Sequence, residues 1–270
     1  CYFKNNSIDF IYQIQNSIQT IYGGAIDGID SSLELVKCIF ENNSIIVIDS
    51  NSSSKYHILI CGGAIYGYII KCNKTKFIEN KIFINCICNL DSYEEGGGVY
   101  LNGQSNLTNS SFINNYINST KINIKEMKII GGAIKCSYHI YHTIIDFLED
   151  CLFENNYLFS CACNVTNNIE IYGAAMYLQS ILNNCSFINN TIYGKISGNC
   201  NVYAKGSAIY CSYLTINCLF LKNSIYVDAN ESNVYINGII YAHLFSVESY
   251  NKTITECIFN SVNDHAIFIK

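Results

Sequence analysis

Acidic residues and histidines are the first candidates for catalysis, because two clustered carboxylates can serve as the acid and base of glycoside hydrolysis. The groups that could take such roles are few: Glu94-Glu95, Glu149-Asp150, Asp264-His265, and the pair His139 and His142. Neither acidic pair recurs in a neighbouring part of the chain. The terminal pair is better interpreted as a loop and the two histidines as solvated. The chain has no Arg, and it has no nucleophile elbow, phosphate loop or metalloprotease motif. We therefore expect no enzymatic activity.

Cysteine chemistry is the second possibility, since the chain has 15 Cys, an odd number. Six of them stand two residues before a Phe: Cys1, Cys38, Cys151, Cys185, Cys218 and Cys257. We interpret these six as buried, reduced thiols that pack as small apolar groups. Disulfides between neighbouring repeats remain the alternative.

A second group of cysteines lies between the repeated motifs: Cys86, Cys88, Cys161, Cys163 and Cys200. These are the disulfide candidates. Cys-x-Cys pairs can also bind zinc, but no His stands at matching positions of the repeats. We therefore predict no metal and no cofactor.

Twelve Asn-x-(Ser/Thr) sequons occur, more than the composition alone predicts. Three of them, at Asn5, Asn42 and Asn189, come from the repeated motif itself. The N-glycosylation candidates are Asn51, Asn118, Asn164, Asn230, Asn73, Asn106 and Asn251, and the first four fall at predicted polar tips. This pattern favours a secreted glycoprotein.

Charge and hydropathy exclude two kinds of partner. The net charge is −5 and the only cationic side chains besides His are Lys, without a basic stripe, so no nucleic acid is expected. No run reaches the ~18 apolar residues that a membrane-spanning helix needs.

Two short motifs alternate along the whole chain and must position all these residues. The first is Gly-Gly-Ala-Ile, clearest at Gly23, Gly62 and Gly131 and varied at Gly96, Gly173 and Gly206. The second is Cys-x-Phe-x-x-Asn, with Phe residues 33 to 41 positions apart: Phe3, Phe40, Phe77, Phe112, Phe153, Phe187, Phe220 and Phe259. A helical array is excluded because no 3.6-residue apolar period exists and each Gly would cost a helix about 1 kcal/mol. A leucine-rich repeat is excluded because its Leu framework is missing.

What remains is an all-β fold, a right-handed parallel β-helix (β-solenoid) of about eight coils. Each coil is predicted to carry a hairpin-like excursion on one side, such as the segment from Ile45 through a polar tip to Ile60. Two coils per repeat is the alternative. We expect residues 1–270 to form a single β-helix domain. Because the repeat pattern begins and stops in the middle of a repeat, we expect this domain to be a segment of a longer protein.

Each repeated residue then has a predicted place. The Phe side chains stack as a buried aromatic ladder. The turn after each Phe holds an amide ladder made of Asn6, Asn43, Asn80, Asn115, Asn156, Asn190 and Asn223. The residue after the Ile of Gly-Gly-Ala-Ile should face outward, which gives a possible binding stripe made of Tyr66, Tyr100, Tyr177, Tyr210 and Tyr241. Self-stacking of these rings is the alternative interpretation.

The alternation of Gly-Gly-Ala-(Ile/Leu/Val) with Phe-x-x-Asn resembles the repeats of the chlamydial polymorphic outer-membrane proteins, and similar repeats occur in surface proteins of some protozoan parasites. The resemblance covers the whole chain. It implies a right-handed parallel β-helix that is exported to a cell surface and is often adhesive, here as a protozoan surface or secreted member. The chain departs from that family's pattern by the Cys before Phe in six copies and by its long excursions.

Two non-enzymatic functions follow. The first is a structural rod or filament segment of an extracellular or cell-surface assembly, which associates with its own copies or with other surface proteins. The alternative is an adhesin-like module that binds a glycan or a host protein through the tyrosine stripe. A polysaccharide lyase or hydrolase is the least favoured.

Overall fold

The chain folds as a β-solenoid of parallel sheets, as the repeats predict. The structure, a computed structural model, describes residues 1–11, 19–49, 55–86, 89–103, 105–136, 146–177, 180–210, 214–238, 240–242, 253–255, 258–260 and 267–269. Its strands form four sheets, here named A to D in the order in which one coil passes through them, and all strand pairs recorded between described residues are parallel.

Sheet A has eight strands: β1 (Tyr2–Lys4), β5 (Ile39–Glu41), β9 (Lys76–Ile78), β14 (Ser111–Ile113), β19 (Leu152–Glu154), β24 (Ser186–Ile188), β29 (Leu219–Leu221) and β34 (Ile258–Asn260). Sheet B has seven strands: β2 (Ser7–Ile11), β6 (Ser44–Asp49), β10 (Lys81–Cys86), β15 (Tyr116–Ile122), β20 (Tyr157–Cys163), β25 (Thr191–Ser197) and β30 (Ser224–Asn230).

Sheet C also has seven strands: β3 (Gln19–Tyr22), β7 (Lys55–Cys61), β11 (Asn89–Glu95), β16 (Met127–Ile130), β21 (Asn168–Tyr172), β26 (Asn201–Lys205) and β31 (Asn233–Asn237). Sheet D has thirteen, because most coils cross it with two short strands: β4 (Ile26–Val36), β8 (Ile65–Asn73), β12 (Val99–Leu101), β13 (Asn106–Thr108), β17 (Ile134–Cys136), β18 (Asp146–Glu149), β22 (Met176–Tyr177), β23 (Ser180–Asn183), β27 (Ile209–Tyr210), β28 (Leu214–Ile216), β32 (Ile240–Ala242), β33 (Thr253–Thr255) and β35 (Ile267–Ile269).

Each repeat forms one coil, because equivalent residues of successive repeats are register partners. Phe40 pairs with Phe3 on one side and with Phe77 on the other. This register excludes two coils per repeat. Sheet A has eight strands but sheets B and C have seven each, so the number of complete coils described is slightly lower than the eight predicted.

The predicted hairpin-like excursion is wrong in its pairing. The two arms, β6 and β7, do not pair with each other: β6 lies between β2 and β10 in sheet B, and β7 lies between β3 and β11 in sheet C. They face each other through apolar side chains such as Ile45 and Ile60, which belong to one buried cluster. The segment is therefore half of the solenoid itself.

The coil is consequently divided into two lobes with separate cores. Sheets A and D enclose a core that includes the Phe ladder and the Ile residues of Gly-Gly-Ala-Ile. Sheets B and C enclose a second core rich in Ile.

The Gly-Gly corner explains where the lobes meet. Gly96 has φ +67°, a left-handed conformation that favours Gly. A Cβ on Gly97 would lie 2.2 Å from the carbonyl oxygen of Gly132 and 2.6 Å from that of Tyr116. The corner between sheets C and D therefore touches the start of sheet B, and only a residue with little or no side chain allows this approach.

Candidate functional site

The predicted binding stripe is mostly covered. Tyr66 and Tyr100 are half-buried, whereas Tyr177 and Tyr210 expose only 8% and 6% of their surface. The rings stack on one another, with centroids 4.9 Å apart for Tyr66 and Tyr100 and 4.6 Å apart for Tyr177 and Tyr210. The backbone of Tyr241 continues the register, but its side chain lies outside the described residues.

A lysine fills the gap in this stack. Lys135 occupies the stripe position between Tyr100 and Tyr177, and its Nζ lies 5.5 Å and 4.9 Å from their ring centroids. It also donates a 2.7 Å hydrogen bond to the carbonyl oxygen of Cys136. Two cation–π contacts and one hydrogen bond therefore compensate the burial of this ammonium group.

The prediction that the stripe faces solvent is corrected by the two-lobed shape of the coil. The Gly-Gly corner brings the end of sheet C beside the start of sheet D, so the stripe lies in the crease between them. There Tyr172 of sheet C stacks on Tyr210 at 4.7 Å, and both belong to a third apolar cluster with Ile130 and Tyr177. Self-stacking explains these rings better than an open ligand surface does.

The amide ladder is present, and its geometry is regular. Asn156 donates from Nδ2 to the Oδ1 atom of Asn190 at 2.9 Å and to the carbonyl oxygen of Phe112 at 2.9 Å. Its own Oδ1 accepts from the backbone N–H and the Nδ2 of Asn115. The same side-chain to side-chain bond recurs from coil to coil through Asn6, Asn43, Asn80, Asn115, Asn156, Asn190 and Asn223. Each buried amide in the middle of this row is thus fully satisfied.

The glycosylation candidates differ in exposure. Asn106, Asn164 and Asn230 are exposed, whereas Asn73 and Asn118 are half-buried. Asn51 and Asn251 lie outside the described residues. Asn164 donates from its amide to Asn123 at 2.8 Å, so a glycan there would replace one surface hydrogen bond. Glycosylation of these residues stays a prediction.

Most of the described cysteines before Phe are buried. In the position before Phe, Cys38, Cys151, Cys185 and Cys218 are buried thiols, while Cys1 is exposed and Cys257 lies outside the described residues. Burial raises the pKa of the Cys72 thiol, in sheet D, to about 11. Such thiols react slowly with oxidants and alkylating agents because the thiolate is scarce.

Among the disulfide candidates, Cys161 and Cys163 are half-buried free thiols on the outer face of sheet B. Cys200 is a buried free thiol and Cys86 is buried, while Cys88 lies outside the described residues. Disulfide formation by this group stays a prediction.

The acidic pairs have structural partners. Glu94 forms a fully buried ion pair with Lys121 in the core between sheets B and C. Asn183 donates to Glu149, and Asn184 donates to Asp150 across neighbouring coils. The pairs His139 with His142 and Asp264 with His265 lie outside the described residues. In the described part of the chain, no three His, Cys, Asp or Glu side chains are grouped to hold a metal ion.

A surface that the sequence did not indicate is a groove of about 590 Å³ along the turn from sheet A to sheet B. One wall consists of turn residues with left-handed backbone: Asn42, Glu79, Asn114, Asn155 and Asn189. The other wall consists of outward residues of sheet B: Lys81, Tyr116, Tyr157, Thr191 and Tyr193. The alternation of strand residues after each ladder Asn could have revealed this row, since every second residue there faces outward.

No family model, no curated protein and no solved structure matches this chain. No helix among the described residues is both long and apolar enough to cross a bilayer. The class that the fold itself defines is a parallel β-solenoid with one coil per repeat.

Proposed function

We propose that this chain is a non-enzymatic structural β-solenoid, a rod or filament segment of an extracellular or cell-surface assembly. The observation that carries this proposal is the continuity of the internal ladders. The Phe rings from Phe3 to Phe220 stack with centroids 4.7–5.0 Å apart at every step. Each coil is completed by its neighbours, which is the property of a module built to be extended.

Inward-facing apolar residues that are incompletely buried support assembly. Phe3 is stacked on one face by Phe40 and is half-buried. At the other end, Val234 and Ile236 of β31 are 39% and 47% exposed, although they face inward in register. A coil from another copy would cover these side chains.

The proposed location rests on the repeats and the sequons. The motif pattern resembles exported β-helix families, and we place this chain among their protozoan surface or secreted members with the right-handed coil that they share. Asn164 and Asn230 follow or end strands of sheet B and are exposed, so both could carry glycans without disturbing either core.

Electron microscopy of the purified chain over a range of concentrations tests this proposal. We expect rods that lengthen with concentration. Phe3→Lys should shorten them, because it places a charge at the stacking surface. The matched control is Tyr2→Lys, which changes the adjacent, outward side chain. Discrete particles at the highest concentration, or equal shortening by both variants, would contradict assembly through the ladders.

A further inference from the structure

The groove between sheets A and B has features that the structural proposal does not explain. It follows the same turn through five coils, from Asn42 to Asn189, a length of ~19 Å at ~4.8 Å per coil. Its walls repeat at that interval. An extended ligand whose own units repeat at about the same length would match this spacing.

The walls offer hydrogen bonds and little charge. Amide side chains from Asn42, Asn114, Asn155 and Asn189 line one side, and tyrosine rings with a Thr hydroxyl line the other. Among the described residues that line the groove, the charged side chains are Glu79 and Lys81, which have opposite signs and stand in the same coil. This lining suits an uncharged, hydroxyl-rich ligand better than a polyanion.

An open aromatic face is present at one level of the groove. Tyr116 and Tyr157 stack with ring centroids 4.6 Å apart and an angle of 7° between their planes. In the next coil, the register partner of Tyr157 is Thr191, whose short side chain does not continue the stack. The ring face of Tyr157 that points toward Thr191 has no aromatic partner among the described residues. Asn155, Asn189 and Tyr193 border the same space.

We propose that this groove binds a linear, neutral, β-1,4-linked polysaccharide that lies parallel to the rod axis. One sugar unit of such an extended chain is close in length to one coil. At the level of Thr191 a substituent of the sugar, such as its hydroxymethyl or N-acetyl group, packs on the open face of Tyr157, while the amides and tyrosine hydroxyls bind the sugar hydroxyls. The site differs from the tyrosine stripe, which lies in the crease between sheets C and D.

Calorimetric titration with cellohexaose and chitohexaose tests this site, using chain produced in bacteria so that the sequons at Asn42 and Asn189 carry no glycan. We expect saturable binding of at least one hexasaccharide. Binding of the corresponding disaccharide should be at least about tenfold weaker, since it spans fewer coils. An acidic hexasaccharide of alginate should not bind. Binding of the alginate fragment alone, or of no hexasaccharide, would overturn the proposal.

Two variants locate the ligand. Tyr157→Ala should weaken binding about tenfold or more by removing the ring against which the sugar substituent packs. Thr191→Tyr should abolish binding while keeping the melting temperature, because the new ring continues the Tyr116–Tyr157 stack and fills the space for the sugar. Tyr235→Ala is the matched control, since this ring is 47% exposed on sheet C and stacks on Tyr203, away from the groove. Unchanged binding by Thr191→Tyr would exclude this groove as the site.

Discussion

The ammonium group of Lys121 and the carboxylate of Glu94 form an ion pair inside the core between sheets B and C, where both side chains are fully buried. Removing one partner leaves an uncompensated buried charge. We therefore expect Lys121→Met alone to lower the free energy of unfolding by about 3–5 kcal/mol. The double variant with Glu94→Ile should recover most of this loss, because the register partners Ile60 and Ile129 already carry Ile.

Urea denaturation of both single variants and the double variant measures the coupling. A control is the surface pair of Lys71 and Glu34, whose side chains are 55% and 60% exposed; charge removal there should change stability by less than ~1 kcal/mol. Equal effects at the buried and the surface pair would show that the charges are not enclosed in the core.

The amide ladder makes a second prediction. Asn156→Asp keeps the shape of the side chain but removes the donors to Phe112 and Asn190 and turns a carboxylate toward their oxygens. We expect a loss of about 3 kcal/mol or more, because several buried polar groups lose their partners at once. Asn164→Asp, in an exposed amide pair, is the control and should cost less than about 1 kcal/mol. Similar losses for the two variants in thermal and urea unfolding would contradict the buried ladder.

The Phe and Asn ladders could be predicted from the sequence because each residue type recurs at one place in every repeat. Stacking the repeats then brings the equivalent side chains together. Which strand pairs with which cannot be inferred from the local alternation of apolar and polar residues. The segment around Ile45 and Ile60 alternates as a hairpin would, and only the register shows that its arms belong to different sheets.

Burial of the tyrosine stripe and the ion pair could not be predicted for a related reason. Tyr177 faces away from the core of its own lobe, and the chain closes over it only because the Gly-Gly corner brings in sheet C. Glu94 and Lys121 are 27 residues apart and interrupt the apolar alternation of their strands. A single charged residue in such a strand gives no sign of a partner across the core.

The Gly-Gly corner supplies a third prediction. Gly97→Ala should destabilise the chain strongly, because its Cβ would lie 2.2 Å from the carbonyl oxygen of Gly132. The reverse change at the equivalent position, Ala174→Gly, should cost only about 1 kcal/mol through chain entropy. Circular dichroism melts would show a much lower melting temperature for the first variant than for the second. A Gly97→Ala variant as stable as the unmodified chain would disprove close contact between the corner and its neighbours.

The buried thiols predict how stability depends on pH. Burial raises the pKa of Cys72 to about 11 from an ordinary value of 9.0. Between these values the native state keeps a proton that the unfolded chain releases, so the native state binds more protons. The free energy of unfolding should therefore fall as the pH rises from 9 to 11. Cys72→Val should make this fall less steep.

Urea unfolding in the presence of a reductant, at pH 7, 9 and 10.5, would measure the effect. An equal slope for the unmodified chain and Cys72→Val would mean that this thiol ionises in the native state as readily as in the unfolded chain.

The central claim, one solenoid coil per repeat, is tested most directly by removing one repeat. Deletion of residues 112–152 joins the chain just before Phe112 to Phe153, which would then stack on Phe77. Small-angle X-ray scattering should show a folded rod that is shorter by ~4.8 Å, the rise of one coil. Shortening by about twice that length, or loss of the folded rod, would contradict the account.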